Sequence, residues 1–449
     1  MNNPYTAYRR YEAGQEPPPL VGRSSLLIEL LSTLSDSLPR SIQLVAFRTM
    51  GTTSILRYLA HPQGALAQAD LTNRLPANKR LLLIYFDFNR FPDGTGIAEW
   101  LWEAMSQRTE LRPFIPPEKP LNLITTMKQV ILKASDDGWR LIFLCDHFDR
   151  TLSQLKVSEA TALRPLVELA GFVTATERPL VLIKPDAASS LFGSQIHPVD
   201  LLPLAYREAR TLLENASQAL PNGEPAEIRI DFGALLRLTG TIPHYVLRGA
   251  ELWYNACHQF KALNELSPQE LGEILRPTLL QDFTLEFVRF WNHISVEQQR
   301  SLSDLIATNS SLTELPLLHK RRLHGLVSRG LVVMIDGRYQ PMSELWADFI
   351  RQKSDETKTA QEDAAVTGEA GIKEATPREA EVLAYLQEYA NQICPYETIL
   401  TNVWRDDDTA ENRHILRQVI AQLRRRLAQT GAGTIINHRN KGYEFREER

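Results

Sequence analysis

The amino-acid sequence predicts an α/β domain built on a parallel sheet, followed by helical and winged-helix (α+β) domains. Short apolar runs alternate with amphipathic stretches through the first 200 residues, which is typical of strand–helix–strand units whose sheet is covered on both faces. The last 75 residues instead contain three helical patterns followed by a hairpin pattern. A polar segment from Gln352 to Lys373, with almost no large apolar residues, separates these two parts.

Composition limits the class of protein. The chain has 449 residues, of which 43% are hydrophobic and 23% charged, values typical of a folded protein of about three domains. The formal net charge is −4, so any surface that binds nucleic acid must be local. The three cysteines lie far apart, without metal-ligand spacing. No apolar run reaches the ~20 residues that span a bilayer, and the N-terminus lacks a signal-peptide core, so we expect a cytoplasmic protein without membrane contact.

Strands and helices alternate in the first domain, which is predicted over residues 20–200. The predicted strands are Ile42–Ala46, Leu81–Phe86, Leu141–Cys145 and Leu180–Ile183. The predicted helices are Leu26–Leu34, Ser54–Leu59, Ile97–Met105 and Leu121–Ala134. The preceding residues 1–19 are polar and proline-rich, and we expect them to be flexible.

A helical region is predicted to follow the sheet. Residues 201–276 show a helical pattern interrupted by Pro and Gly, and residues 277–351 show several helices closed by a hairpin, which predicts a winged helix. In that hairpin Asp336-Gly337 separates two strand patterns, and an Asp-Gly pair is a strong indication of a two-residue turn. Residues 352–374 are predicted to be a disordered linker, because they cannot bury enough apolar surface to offset the ordering of the chain.

The C-terminal domain, predicted over residues 375–449, begins with helix-starting residues. Thr376 supplies a cap, Pro377 suits the first helical position, and Glu379 places negative charge in the first turn. The side chains expected to be buried by this helix are Val382, Leu383, Leu386 and Tyr389. The further predicted elements are a second helix Tyr396–Trp404, a third helix from about Glu411 to Gln429, and the strands Thr434–Asn437 and Tyr443–Arg446.

Basic residues concentrate on the third helix and at the tip of the hairpin. Between Asn412 and Arg446 there are eight Lys or Arg residues and a single acid near the end, Glu444. Cations release condensed counterions when they neutralise phosphates, and Arg and Gln on a helix can read base edges in the major groove, so we predict contact with double-stranded DNA. The predicted DNA-binding residues are Arg413, Arg417, Gln418, Gln422, Arg424, Arg425, His438, Arg439 and Lys441. The alternative is a basic helix that docks onto protein.

The end of the chain resembles a known family. The segment IAQLRRRL, followed by TIINHRNKGYEF, resembles the end of the OmpR/PhoB-type effector domain, in which an I-x-x-L-R-[RK]-K-L helix precedes a G-[VI]-G-Y wing. The resemblance covers nearly all of the last ~75 residues and implies a winged-helix DNA-binding domain of a transcription regulator. The sequence Asn440-Lys441-Gly442 departs from the family, which has a small residue before the Gly-Tyr pair.

The first domain resembles STAND and archaeal-type AAA+ ATPases. Leu20-Val21-Gly22-Arg23 precedes a helix as in this family, and the segment 46–53 lies where the family has its P-loop. In the pattern G-x-x-x-x-G-K-[ST], backbone amides cradle phosphates and the lysine contacts the β- and γ-phosphates. Here Ala46 replaces the first glycine and Thr52 the lysine, whereas Gly51 and Thr53 remain. The resemblance implies a P-loop NTPase-like core with a helical lid and a degenerate phosphate-binding loop.

A second motif of that family is also altered. The run that ends at Asp146 resembles a Walker B strand, with His147 in place of the glutamate that polarises water. Pro243 lies in a segment that resembles the one whose proline packs against adenine, although a simple helix start is the alternative. The resemblance implies a vestigial nucleotide site formed by Gly51, Thr52, Thr53, Asp146, His147 and Pro243. We expect no cofactor and no hydrolysis, while weak binding of ATP or ADP with Mg²⁺ is left open.

Neither a catalytic residue nor a metal site is predicted. Asp146, His147 and Asp149 carry ligand atoms, but consecutive residues at a strand end are not expected to face the same ion. The leading hypothesis is a non-catalytic DNA-binding regulator, in which a degenerate STAND-like scaffold carries a tethered OmpR-type domain. Its core is expected to bind an unknown protein partner or to self-associate. The alternatives are a protein-interaction adaptor in a larger defence or signalling complex, and an active ATP-dependent STAND switch.

Overall fold

The protein divides into two compact units, Met1–Gln352 and Lys353–Arg449. The computed structural model describes residues 3–9, 20–36, 40–73, 80–91, 96–118, 120–218, 230–308, 317–366, 377–404, 410–430, 433–438 and 441–446. Each unit has its own hydrophobic core. None of the described helices combines the length and the apolar character that crossing a bilayer requires.

A five-stranded parallel sheet lies at the centre of the first unit. Its strands are β1 (Ser41–Val45), β2 (Arg80–Asp87), β3 (Trp139–Asp146), β4 (Gly171–Thr176) and β5 (Ile196–Asp200), in the order β2-β3-β4-β1-β5. Side chains of β2 alternate between two cores, with Leu81 and Leu83 on one face and Leu82 and Ile84 on the other. The predicted α/β core of P-loop NTPase-like type is confirmed, and the carboxyl ends of its strands form one edge.

Helices cover both faces of this sheet. They are α1 (Pro4–Arg9), α2 (Ser24–Ser35), α3 (Thr52–Ala60), α4 (Ala69–Thr72), α5 (Ile97–Ser106), α6 (Leu123–Asp136), α7 (Phe148–Gln154), α8 (Val157–Val167), α9 (Leu180–Ile183) and α10 (Pro185–Phe192). Helix α3 follows β1 directly, and its buried residues, among them Ile55 and Leu56, pack into the core. Its first turn therefore lies at the carboxyl end of the sheet.

One predicted strand is wrong, and two strands were not predicted. Leu180–Ile183 is helix α9, in which Val181 and Leu182 are exposed, so this apolar run does not mark a buried strand. Strand β4 is fully buried, but its sequence GFVTAT mixes Gly and Thr with apolar residues and obscures the pattern. Strand β5 contains Pro198, which an edge strand tolerates because only one of its sides needs ladder donors.

Six α-helices, a hairpin and the first part of a seventh α-helix, which continues past Gln352, complete the first unit among the described residues. They are α11 (Tyr206–Ser217), α12 (Phe232–Thr239), α13 (Pro243–Gln259), α14 (Pro268–Asn292), α15 (Val296–Thr308), α16 (Leu317–Val327), β6 (Val332–Ile335), β7 (Arg338–Pro341) and α17 (Glu344–Val366). The predicted hairpin is confirmed, and Asp336 and Gly337 both have positive φ, 49° and 71°, as its two-residue turn requires. The fully buried Trp346 packs against Phe287 and Phe349, which ties α14 and α17 into the core that also contains β1.

Two predicted segment boundaries differ from the structure. The expected border between lid and winged helix, at 276/277, lies inside α14, which continues through Pro277. Helix α17 extends to Val366, through the first part of the predicted disordered linker. Residues 354–366 include Glu, Gln, Lys and Ala and contain neither Gly nor Pro, so a helix that has already started can continue. The rest of the predicted linker up to 376 lies outside the described residues.

In the segment predicted to be flexible, Pro4–Arg9 instead form the packed helix α1, whereas residues 1–2 and 10–19 lie outside the described residues. Tyr5 is 1% exposed and lies edge-on to Tyr254 of α13. The amide of Asn3 donates to the Glu251 carbonyl at 3.0 Å, and the Thr6 hydroxyl donates to the Glu251 carboxylate at 2.8 Å. A single aromatic anchor with polar contacts beside it therefore holds a segment that is too polar to attract attention in the sequence.

The second unit contains the predicted three helical segments and hairpin. Its elements are α18 (Pro377–Glu388), β8 (Cys394–Pro395), α19 (Tyr396–Ile399), a π-helical turn Leu400–Trp404, α20 (Ala410–Thr430), β9 (Thr434–His438) and β10 (Gly442–Arg446). The strands form an antiparallel sheet in the order β8-β10-β9, and the two-residue β8 was not predicted. Tyr389, predicted to be buried, is 39% exposed, because it follows the end of α18; its ring packs beside Tyr385.

Candidate functional site

The turn between β1 and α3 has the form of a phosphate-binding loop. The Ala46 amide donates to the Thr176 carbonyl of β4 at 3.0 Å, which fixes the start of the turn. Thr49 and Gly51 both have positive φ, 80° and 94°, so the backbone curls before α3 begins at Thr52. A Cβ added at Gly51 would meet no heavy atom within 4 Å, so the space over the turn is open. The turn thus keeps the predicted shape although the lysine is missing.

A cavity of about 850 Å³ opens over this turn. It is lined by all six residues of the predicted nucleotide site, Gly51, Thr52, Thr53, Asp146, His147 and Pro243. Pro243 is also the first residue of α13, so the helix-start alternative is confirmed, while its packing against adenine stays a prediction. Apolar side chains that include Tyr8, Val21 and Leu247 line the same space. The structure brings the predicted residues together; their contact with a nucleotide stays a prediction.

Two of the arginines that line the cavity are engaged with the protein. The Arg23 guanidinium donates to the carbonyls of Met50 and Leu202 at 3.3 and 2.9 Å, and burial lowers its pKa. Arg48, within the turn itself, forms an ion pair of 2.5 Å with Glu177, whose other oxygen lies 3.4 Å from the His293 ring. Neither arginine is therefore placed as a substitute for the missing lysine.

The ends of β2 and β3 carry a compact polar cluster. Asp146 is fully buried, and its carboxylate accepts the Tyr85 hydroxyl at 2.9 Å and the His147 amide at 3.1 Å. His147 has a left-handed backbone, φ 55° and ψ 40°. Its Nδ1 lies 3.0 Å from an oxygen of Asp87 and 3.6 Å from an oxygen of Asp146. The prediction that consecutive residues at this strand end do not face the same ion is therefore wrong for Asp146 and His147, because the bend turns their side chains toward each other.

Asp149, which the sequence analysis considered together with Asp146 and His147, is hydrogen-bonded outside this cluster. Its carboxylate accepts the Glu177 amide at 2.9 Å. Burial raises the pKa of Asp149, more than this backbone hydrogen bond lowers it. Its role is thus to connect the start of α7 with the end of β4, whereas the ligand atoms that approach each other belong to Asp87, Asp146 and His147.

Residues that the sequence analysis missed complete this cluster. Tyr85 packs under the Arg57 guanidinium, whose carbon lies 5.7 Å from the ring centroid. Burial, together with the charge of Asp146, raises the pKa of the Tyr85 hydroxyl well above its usual range. Asp87 ends a buried strand beside β3, in register with Asp146. Because neighbouring parallel strands end at one edge, the acid that terminates β2 could have been found from the sequence; Arg57 on α3 could not.

The turn offers open space and hydroxyl groups but lacks the cation of the family's phosphate-binding loop. The open turn and the hydroxyl residues Thr52 and Thr53 at the start of α3 are suited to phosphate oxygens. The position that would carry an ammonium group carries the Thr52 hydroxyl instead. A single ion contact at ~4 Å contributes about 4 kcal/mol at an effective dielectric near 20, so its loss weakens polyphosphate binding strongly.

In the second unit, α20 presents one apolar and one polar face. Leu416, Ile420, Leu423 and Leu427 are buried against α18 and the sheet. The predicted DNA-binding residues that are exposed are Arg413, Arg417, Gln418, Gln422 and Arg425 on the helix and Lys441 in the hairpin. Arg439 lies outside the described residues. Six of the nine predicted residues are thus exposed to solvent.

Two predicted DNA-binding residues are half-buried and bonded within the domain. The Arg424 Nε donates to the Ile435 carbonyl of β9 at 2.8 Å and so fastens the helix to the hairpin. The His438 ring lies 2.6 Å from the Glu444 carboxylate, which also accepts from Arg446 at 2.6 Å. Tyr396, which was not predicted, donates its hydroxyl to Asn437 at 2.9 Å and lies 5.5 Å from the Arg413 guanidinium. These contacts fix the position of the hairpin relative to α20.

Comparison of the sequence with protein families identifies the second unit. Residues 371–445 match the family model "Transcriptional regulatory protein, C terminal", so this domain is a DNA-binding domain of the transcription-regulator type, as the sequence resemblance implied. No curated protein matches the chain.

Several solved structures are similar in chain trace. The ADP form of the Aeropyrum pernix ORC2 protein has a TM-score of 0.44 at 14% identity, covering 77% of this chain and 98% of its own. The Walker-type ATPase PABY2304 of Pyrococcus abyssi has a TM-score of 0.42 at 12% identity, covering 74% and 96%. The Aeropyrum pernix ORC1 protein in complex with DNA has a TM-score of 0.38 at 13% identity, covering 96% and 90%. At such values the likeness says nothing about what this chain binds.

Proposed function

We propose that the protein is a non-catalytic DNA-binding regulator, whose C-terminal domain contacts double-stranded DNA and whose core acts by binding. The observation that carries the proposal is the exposed Arg and Gln surface of α20, in a domain of the transcription-regulator type. The core would supply a surface for a protein partner or for a second copy of the chain. Sedimentation of the full chain at several concentrations tests self-association.

The exposed surface of α20 combines the two kinds of side chain that DNA recognition uses. Arg417 and Arg425 can neutralise phosphates or pair with guanine, and Gln418 and Gln422 can pair with adenine. Lys441 adds a cation in the hairpin. The Arg424 contact with β9 holds helix and hairpin together, so both elements would meet the duplex in a fixed arrangement.

The test is DNA binding of the full chain, measured by fluorescence anisotropy at several salt concentrations. For Arg417→Ala combined with Arg425→Ala, we expect an affinity at least about tenfold lower and a log–log salt slope reduced by about one unit per lost phosphate contact. The matched control is Arg164→Ala combined with Arg210→Ala, which removes two exposed helix-surface cations from the first unit.

Two results would contradict this proposal. An equal loss in the control pair would indicate that bulk charge, not the α20 surface, causes binding. No binding even at low salt would favour the alternative, in which the winged helix docks onto protein within a larger complex.

The non-catalytic part of the proposal rests on the core cavity. Thr52 offers no ammonium group, Arg48 is paired with Glu177, and His147 lies against Asp87. We therefore expect no ATP turnover by the full chain in the presence of Mg²⁺ and DNA. Turnover that disappears in Asp146→Ala would instead support an active ATP-dependent switch.

Restoring the lysine gives a sharper test. Thr52→Lys places an ammonium group at the start of α3, and we expect its ATP affinity to rise at least about tenfold, since even a solvent-screened fraction of one ion contact reaches that size. Ser54→Lys adds the same charge two residues away at an exposed position and should change ATP affinity little. An equal gain in both variants would show that the turn has lost its phosphate geometry as well.

A further inference from the structure

The cluster at the ends of β2 and β3 has the composition of a metal site. Asp87, Asp146 and His147 each offer one ligand atom, and these three atoms all lie within 4.8 Å of one another. Two carboxylates and one imidazole form a mixed oxygen and nitrogen donor set, which suits Zn²⁺, Mn²⁺ or Co²⁺. Mg²⁺ prefers oxygen ligands throughout and is matched less well.

Two of the distances within the cluster agree with coordination of one small cation. Ligands about 2.1 Å from a metal stand ~3.0 Å apart when they are adjacent in an octahedron and ~3.4 Å apart in a tetrahedron. The His147 Nδ1 lies 3.0 Å from the Asp87 oxygen and 3.6 Å from the Asp146 oxygen. A cation can thus enter with small side-chain adjustments, in place of the contact between the imidazole and Asp87.

The surroundings hold the carboxylates in place, as the outer groups around metal sites do. The Tyr85 hydroxyl donates to Asp146, and the Asn89 amide donates to Asp87. The Arg90 guanidinium lies 3.5 Å from the second oxygen of Asp87. His147 reaches the cluster only because its backbone is left-handed, a conformation that a non-glycine residue rarely adopts.

The cluster borders a space that can complete the coordination. Asp146 and His147 both line the cavity of about 850 Å³, so the remaining positions of a three-ligand site would face water or a bound anion. We propose that Asp87, Asp146 and His147 bind one divalent transition-metal ion, of the Zn²⁺, Mn²⁺ or Co²⁺ class, without any nucleotide. The bound ion joins the ends of β2 and β3 and forms part of the cavity wall. This inference does not depend on DNA binding by the second unit.

Co²⁺ is the probe of choice, because its visible absorption reports the ligand field. Titration of the full chain, without nucleotide or DNA, should give one bound Co²⁺ per chain. Asp87→Asn and His147→Asn should each weaken binding at least about tenfold. Asparagine keeps the oxygen that accepts the Asn89 amide, and it tolerates the left-handed backbone at 147. Asp149→Asn is the control, because the Asp149 carboxylate accepts the Glu177 amide. The Co²⁺ affinity of this variant should be unchanged.

Three results would overturn the proposal: no Co²⁺ binding by the unaltered chain, undiminished binding by both Asn variants, or displacement of Co²⁺ by Mg²⁺ at equal concentration. A readout that needs no variant covers the case in which a substitution prevents folding. X-ray absorption of the Zn²⁺-loaded unaltered chain should show one imidazole and otherwise oxygen ligands at about 2.0–2.2 Å. Thiolate ligands or several imidazoles would place the ion elsewhere and contradict the assignment.

Discussion

The core cavity and the α20 surface both gather polar residues, but they use them in opposite ways. In the core, Asp146 is buried and bonded to Tyr85, and Arg48 is paired with Glu177. On α20, Arg417 and Arg425 are exposed, and their charge faces solvent. Inward-directed bonds stabilise a shape, whereas an exposed row of cations favours a polyanionic partner. The polar groups of the core cavity thus stabilise the fold, whereas the cations of α20 are available to a binding partner.

We expect the two units to unfold independently, and the substitutions with the largest expected effect test this. Trp346 is fully buried in the first unit, and Trp346→Ala should cost about 3–5 kcal/mol because it leaves a large cavity. Leu423, fully buried in the second unit, is the counterpart, and Leu423→Ala should cost about 2–5 kcal/mol. Calorimetry should show two transitions, each lowered by only one of the variants. A single transition whose temperature is lowered by both variants would show that the two units unfold together.

A smaller effect tests whether the core cluster is satisfied internally. Tyr85→Phe removes the hydroxyl that donates to the buried Asp146 carboxylate and should cost about 1–3 kcal/mol. Urea unfolding of the full chain, followed at the transition of the first unit, measures this loss. Tyr206→Phe, at an exposed tyrosine, is the control and should be near neutral. A Tyr85→Phe chain as stable as the unaltered one would mean that Asp146 Oδ2, the oxygen that accepts from Tyr85, has another donor.

The smallest effect concerns the hairpin of the second unit. Hydrogen bonds from Arg446 and His438 hold the pKa of Glu444 below its usual value, so folding favours the ionised carboxylate. That contribution is present at neutral pH and is lost as the pH falls through the lowered pKa. Glu444→Gln should therefore lower the unfolding temperature at pH 7, and by a smaller amount in acid at about pH 3. Exposed Glu388→Gln should have no such pH dependence; a loss in Glu444→Gln that is equal at both pH values would exclude the ionic cause.

Local sequence rules predicted the elements that carry strong periodicity. Strands β1, β2 and β3, the Asp336-Gly337 turn and helix α20 all followed from the spacing of their apolar or turn residues. Strand β4 was missed because its burial comes from the neighbouring strands and not from its own composition. Whether a segment of mixed composition forms a strand depends on its position in the fold, which the sequence of the segment alone does not reveal.

The same limit explains the sites. The six predicted cavity residues and most of the α20 surface could be identified, since each lies in a motif or on a helical face. Asp87 directly follows a predicted strand and could have been identified, but the proximity of Asp87 and Tyr85 to Asp146 follows from the order of strands, which places β2 beside β3. The left-handed backbone at His147 has no sequence signature, because the residue is neither Gly nor Asn. The direction in which its imidazole faces could therefore be seen only in three dimensions.

The N-terminal helix has a practical consequence for laboratories that shorten the chain. A clone that begins at Leu20 would lose the Tyr5 ring, and with it the cover over Tyr254 on α13. Glu251 and Asn255 would lose the hydrogen bonds that Asn3 and Thr6 supply. The shortened chain would expose an apolar surface on α13 beside polar groups that have lost hydrogen bonds, a combination that promotes aggregation during purification. Keeping the first nine residues is the simpler route to well-behaved material.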